Sequence, residues 1–99
     1  MLLTGCSRSY DGWFANPCPV DLRVRTFYAN GVASDLHAGE LIAEASLAAE
    51  TVTRVEDAFQ DAAGFTWFVQ VGDGTPKMVT RADMPKWFFS IPASVCGPG

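Results

Sequence analysis

From Val20 to Tyr28 the chain alternates between two faces. Val20, Leu22, Val24, Thr26 and Tyr28 fall on one side, and Asp21, Arg23, Arg25 and Phe27 on the other. Successive side chains of an extended strand point to opposite sides, so this period of two predicts a half-buried strand. Arg23 and Arg25 then lie on its solvated face. Asn30-Gly31 reads as a turn signal. Further on, the aromatic and β-branched run Phe65 to Val71 predicts another strand, and Gly72-Asp73-Gly74-Thr75-Pro76 a hairpin-type loop. Met78 to Thr80 continues the pattern, and a last strand runs from about Trp87 to Ile91, where Pro92 closes it.

The segment from Gly39 to Gly64 fits two periods. Leu41, Ala45, Ala48, Val52, Val55 and Phe59 recur at spacings of four and three, which suits a helix over about 40–62 with Gly64 as its C-terminal cap. The same residues also read as two strands. Leu41, Ala43, Ala45 and Leu47 alternate, Ala48-Ala49-Glu50 turns the chain, and Thr51 to Val55 is rich in β-branched residues. Periodicity alone favours the helix.

Length and charge narrow the class. Ninety-nine residues make one domain, 48% hydrophobic and 18% charged, a globular composition. The net charge of −4 and the scattered basic residues argue against nucleic acid, whose phosphates require clustered Lys and Arg. No stretch reaches the roughly 18–20 apolar residues that span a bilayer.

Leu3-Thr4-Gly5-Cys6 resembles a bacterial lipobox, in which an aliphatic residue, a small residue and Gly or Ala precede a Cys. The resemblance implies that Cys6 carries a thioether-linked lipid and becomes the first residue of the mature protein. Only five residues precede it, too few for a basic and an apolar region, so this reading expects an upstream leader. Residues 1–17 are then the end of a signal and a tether, 18–96 one domain, and 97–99 a frayed end. Three Cys is an odd number, and lipidation of Cys6 leaves Cys18 and Cys96 for a disulfide that closes almost the whole domain. The alternative is a cytosolic α+β interaction domain with free thiols.

The run Thr51 to Asp61, then Gly64-Phe65-Thr66-Trp67, then Ile91-Pro92-Ala93-Ser94-Val95-Cys96 is similar to small actinobacterial lipoproteins of unassigned function. That resemblance implies an all-β, immunoglobulin-like antiparallel β-sandwich whose first and last strands are bridged by cystine. It also favours two strands over 41–57, although the Ala-rich stretch 43–49 departs from an ordinary sandwich strand.

Nothing in the residues points to catalysis or a cofactor. His37 is the sole His, with no Gly-x-Ser-x-Gly elbow, and it reads as a solvated loop residue. Glu56, Asp57 and Asp61 lack the spacing of a calcium loop, and no Cys-x2-Cys pair offers zinc its ligands. Gly72-Asp73-Gly74 lacks the Lys-Ser/Thr of a phosphate loop. The aromatic pairs are more suggestive. Trp13-Phe14, Trp67-Phe68 and Trp87-Phe88-Phe89 set large rings side by side. Strands over 65–71 and 87–91 would send one ring of each pair inward and one outward, unless both sheet faces are covered or side chains such as Lys86 shield the rings. Trp13, Trp67, Phe68, Trp87 and Phe88 are the candidate binding residues. The expectation is a non-enzymatic module, anchored by lipid on the extracytoplasmic face of the cell membrane, whose partner is a protein or a cell-wall glycan.

Overall fold

The computed structural model describes residues 9–32, 34–60 and 65–96. The lipobox-like stretch with Cys6 and the end expected to fray at 97–99 lie outside these residues. The described chain holds seven strands: β1 (Ser9–Ala15), β2 (Leu22–Val32), β3 (Asp35–Leu47), β4 (Val52–Gln60), β5 (Thr66–Val71), β6 (Lys77–Thr80) and β7 (Phe88–Ser90). Short 3-10 turns at Arg81–Asp83, Pro85–Trp87 and Ala93–Cys96 complete it. The strands form a three-stranded sheet, ordered β4-β1-β7, and a four-stranded sheet, ordered β3-β2-β5-β6. Every pairing is antiparallel except β1 with β7. The fold is a β-sandwich. Its division into four and three strands is that of an immunoglobulin constant-type domain, while the strand order within each sheet is this chain's own.

The inner faces form one core. Val24 and Thr26 of β2, Leu47 of β3, Val55, Ala58 and Phe59 of β4, and Trp67 and Val69 of β5 are buried, together with Phe14 of β1. Aromatic rings fill it: Phe14 lies 5.9 Å from Phe59 of the same sheet, and Phe59 5.1 Å from Trp67 of the other, between ring centroids. Polar groups that enter this core are satisfied, as burial demands. The Trp67 indole donates to the Gln60 carbonyl at 2.7 Å, and the Thr26 hydroxyl to the Ala58 carbonyl at 2.6 Å.

Three sequence expectations need correction. The helix that periodicity favoured over 40–62 is absent and the two-strand reading holds, because β3 pairs with β2 over most of its length and β4 pairs with β1. Leu22, Val24 and Thr26 face Leu47, Ala45 and Ala43 in register, so alternation holds for these three, whereas Leu41, expected on the same face, pairs with Phe27 past a register shift and is exposed. The turn at Ala49-Glu50 is fixed by a hydrogen bond from the Ala49 amide to the Asp21 carboxylate at 2.9 Å. Second, residues 9–15, read with the tether, form β1 at the centre of the three-stranded sheet, where Phe14 is fully buried. Third, Asn30-Gly31 is not the hairpin tip. Gly31 takes a left-handed φ of 105° but stays paired with Leu36, and the chain reverses between Val32 and Asp35.

Cys18 and Cys96 meet as a disulfide, their Cα atoms 5.2 Å apart across 78 residues of sequence. The reading with these two thiols free is therefore not the one this fold supports. Asn16, buried beside Cys18, accepts from the Cys18 amide at 2.9 Å and donates to the carbonyls of Val20, Leu47 and Ala48.

Candidate functional site

Two of the candidate rings come together on the outer face of the three-stranded sheet. Trp13 of β1 and Phe88 of β7 are register partners, and both are exposed, at 42% and 40%. Their sequence neighbours Phe14 and Phe89 are also register partners and turn toward the core, so alternation holds for these pairs. One step along, Val52, Ala15 and Ser90 extend the row, with Val52 exposed.

Beside Trp13, on its other flank, stands its second register partner Arg54. Arg54 is held in place. Its Nε and Nη2 donate to Oδ2 of Asp11 at 2.8 and 2.5 Å. The other oxygen of Asp11 accepts the backbone amide of Asp57 at 3.0 Å. That amide is presented by a bulge, since two steps along β1 from Tyr10 to Gly12 answer four along β4 from Phe59 to Val55. Asp57 sits inside the bulge in the left-handed region, at φ 53°, which Asp tolerates better than most residues. The Asp57 hydrogen bond, then Arg54, holds the Asp11 carboxyl below its ordinary range; the same contact makes Arg54 keep its proton more firmly. The result is an apolar pair of rings flanked by a fixed guanidinium–carboxylate group.

The other predicted rings behave differently. Trp67 is fully buried, and Phe68, expected outside if Trp67 is inside, is only 8% exposed. Phe68 does face outward from the four-stranded sheet, but its register neighbours Phe27 and Met78 flank it. Trp87 is half-buried: Tyr10 stacks on it at 4.5 Å and 11°, and the Arg81 guanidinium lies 5.6 Å from its ring. So Trp67, Phe68 and Trp87 belong chiefly to packing, and Trp13 and Phe88 to the surface. The sequence reading overlooked a row across the four-stranded sheet, Leu41, Phe27, Phe68 and Met78, in which Leu41 and Met78 are each 52% exposed. Its only sequence signal is Phe27 on the otherwise polar face of β2.

His37, expected in a loop, is exposed in β3 opposite Asn30. Glu56 and Asp57 are exposed on β4, and Asp61 falls outside the described residues. Among the described residues no group of three His, Cys, Asp or Glu is placed to hold a metal, and no helix is long and apolar enough to cross a membrane. No protein-family model, curated protein or solved structure matches the chain.

Proposed function

We propose that this protein is a non-catalytic binding module of the cell envelope, held by lipid on Cys6 at the extracytoplasmic face of the membrane, and that it meets a glycan strand with the Trp13–Phe88 face. The observation that carries the binding role is the side-by-side exposure of Trp13 and Phe88 in register on β1 and β7. A stable protein interface occupies about 800 Å² on each partner. Two rings with Val52 and Ala15 beside them make a smaller apolar platform, better matched to one or two sugar rings. The Asp11–Arg54 pair next to it supplies a donor and an acceptor whose positions are already fixed, as polar recognition of hydroxyl groups requires. The extracytoplasmic address is supported by Cys18–Cys96, since disulfides persist in oxidising compartments, and by the odd third cysteine in the lipobox-like Leu3-Thr4-Gly5-Cys6.

The test is sedimentation with purified, insoluble cell-wall glycan. Trp13→Ser and Phe88→Ser remove exposed rings, so both variants keep the melting temperature of the parent. Each should weaken binding about tenfold, which is ~1.4 kcal/mol. A double variant that binds as well as the parent would overturn the glycan-binding role. Mass spectrometry of protein from its native host reads the anchor independently: an unmodified Cys6 removes the lipid and leaves the binding question intact.

A further inference from the structure

At one end of the sandwich the two sheets do not close on each other. Leu22 and Val71 share a face with Val24 and Val69, and Phe89 shares one with Phe14. Val24, Val69 and Phe14 are buried to 1, 3 and 0% exposure, yet Leu22, Val71 and Phe89 remain half-exposed. These three apolar side chains pack only partly against the core at this end of the sandwich. The space in front of them is a cavity of about 450 Å³. That lies within the range of about 300–1,000 Å³ in which small-molecule sites fall.

The walls of this cavity are held before any ligand arrives. On one side the Gly72–Pro76 loop is pinned by hydrogen bonds from the Gly72 amide to the Arg23 carbonyl at 2.7 Å and from the Gln70 side-chain amide to the Gly74 carbonyl at 2.8 Å. On the other, the segment from Pro92 to Val95 forms a 3-10 turn, closed by the Val95 amide on the Pro92 carbonyl at 3.0 Å. The next residue, Cys96, ties that turn to Cys18. Its apolar lining is aliphatic apart from the one ring of Phe89, with Thr75 and Ser94 the uncharged polar side chains among the residues around it, which favours a flexible chain over a flat aromatic body. Lys77 and Asp73, both exposed, also line the cavity, and their charges make no ion pair with a described residue.

From this arrangement we infer that the cavity binds a single-chain aliphatic amphiphile: the chain lies against Leu22, Val71 and Phe89, and a zwitterionic head group sits between Lys77 and Asp73. The apolar surface that folding leaves uncovered supplies the drive for the chain. The two opposite charges select a head that offers one charge of each sign. This site is separate from the Trp13–Phe88 face and does not depend on the glycan reading.

The probe is dodecylphosphocholine, kept below its micelle concentration and titrated into the oxidised full chain. Binding is followed by calorimetry and by amide chemical shifts. One-to-one binding is expected, with the largest shifts at Val69, Val71 and Val95. Val95→Trp and Thr75→Trp place an indole in the cavity from its two exposed walls, so one remains informative if the other misfolds. Either should weaken binding at least tenfold with the melting temperature kept, whereas Trp13→Ser should leave it unchanged. Absence of saturable binding, or binding unchanged in a folded cavity-filled variant, overturns the site. Equal affinity for dodecyltrimethylammonium overturns the head-group assignment.

Discussion

Replacing Cys18 and Cys96 together by Ala removes one covalent link and two small buried or half-buried side chains. The bridge spans 78 residues. In the chain-entropy model, closing a loop of that length in the unfolded state corresponds to about 4.5 kcal/mol at 25 °C. A domain of this size has roughly 5–15 kcal/mol in all. The native corner around the bridge does not depend on it alone. Asn16 holds Cys18, Val20, Leu47 and Ala48 through its side chain, and the Glu50 amide donates to the Cys18 carbonyl at 3.1 Å. The loss should therefore come mainly from a freer unfolded chain. Two signatures follow in urea unfolding, read through Trp fluorescence as buried Trp67 becomes exposed. The unfolding free energy should drop by ~3–5 kcal/mol, and the slope against urea should rise, because a chain without the link exposes more surface when unfolded. A loss under ~1 kcal/mol with an unchanged slope would refute this reasoning, and would mean that the unfolded chain keeps its ends together without the bond.

Two further outcomes test the packing around the candidate site. The Asp11 carboxyl has a lowered pKa in the folded state, so its contribution is complete above the ordinary Asp value of about 4 and is lost as pH falls through the lower folded value. Stability measured from pH 6 downward should fall less steeply for Asp11→Asn than for the parent in the region below about pH 4, and identical acid limbs would remove the Asp57 amide and Arg54 as its partners. Gly12→Ala would place a methyl 2.7 Å from both the Phe14 and Phe59 rings, which are fully buried, so it should cost ~1–3 kcal/mol in chemical unfolding; a neutral result would mean the rings yield freely.

The sandwich was legible where alternation met burial on a single face. Val20–Tyr28, Phe65–Val71 and the loop at 72–76 carry their period openly, and β2, β5 and the β5–β6 connection lie where that period puts them. The segment 39–64 misled from its own residues, because Leu41, Ala45, Ala48, Val52, Val55 and Phe59 fit a helical spacing better than an extended one. The pairing of β3 with β2 and of β4 with β1 made that choice, and pairing partners are not written locally. β1 was hidden for a related reason. Ser9 to Ala15 is short and polar at its start, and reads as a linker until Phe14 and Gly12 are seen packed against Phe59. At the aromatic face, the sequence offered Trp13 and Phe88 among five candidate rings without saying which of them face outward. What it could not supply was that β1 and β7, far apart in sequence, lie parallel and adjacent.

The position of β1 also constrains how the two proposed sites relate to a membrane. Only residues 7 and 8 separate Cys6 from Ser9, so a fully extended chain places Ser9 within roughly 11 Å of a lipidated Cys6. Ser9 pairs with Gln60 at one end of the sandwich, where Tyr28 also hydrogen-bonds Gln60 and pairs with Trp67. The opposite end holds Ala15, Val52, Leu22, Val71 and the Cys18–Cys96 bridge. On the lipid-anchored reading, then, the end with Ser9 lies against the bilayer, and the cavity at Leu22 and Val71 faces away by about the length of β1, ~20 Å. A cavity so placed meets amphiphiles that have already left a bilayer. The Trp13–Phe88 face, with Ala15 and Val52 beside it, lies along the outer side of the three-stranded sheet toward the end away from Ser9, where a glycan strand running past it need not contact the membrane.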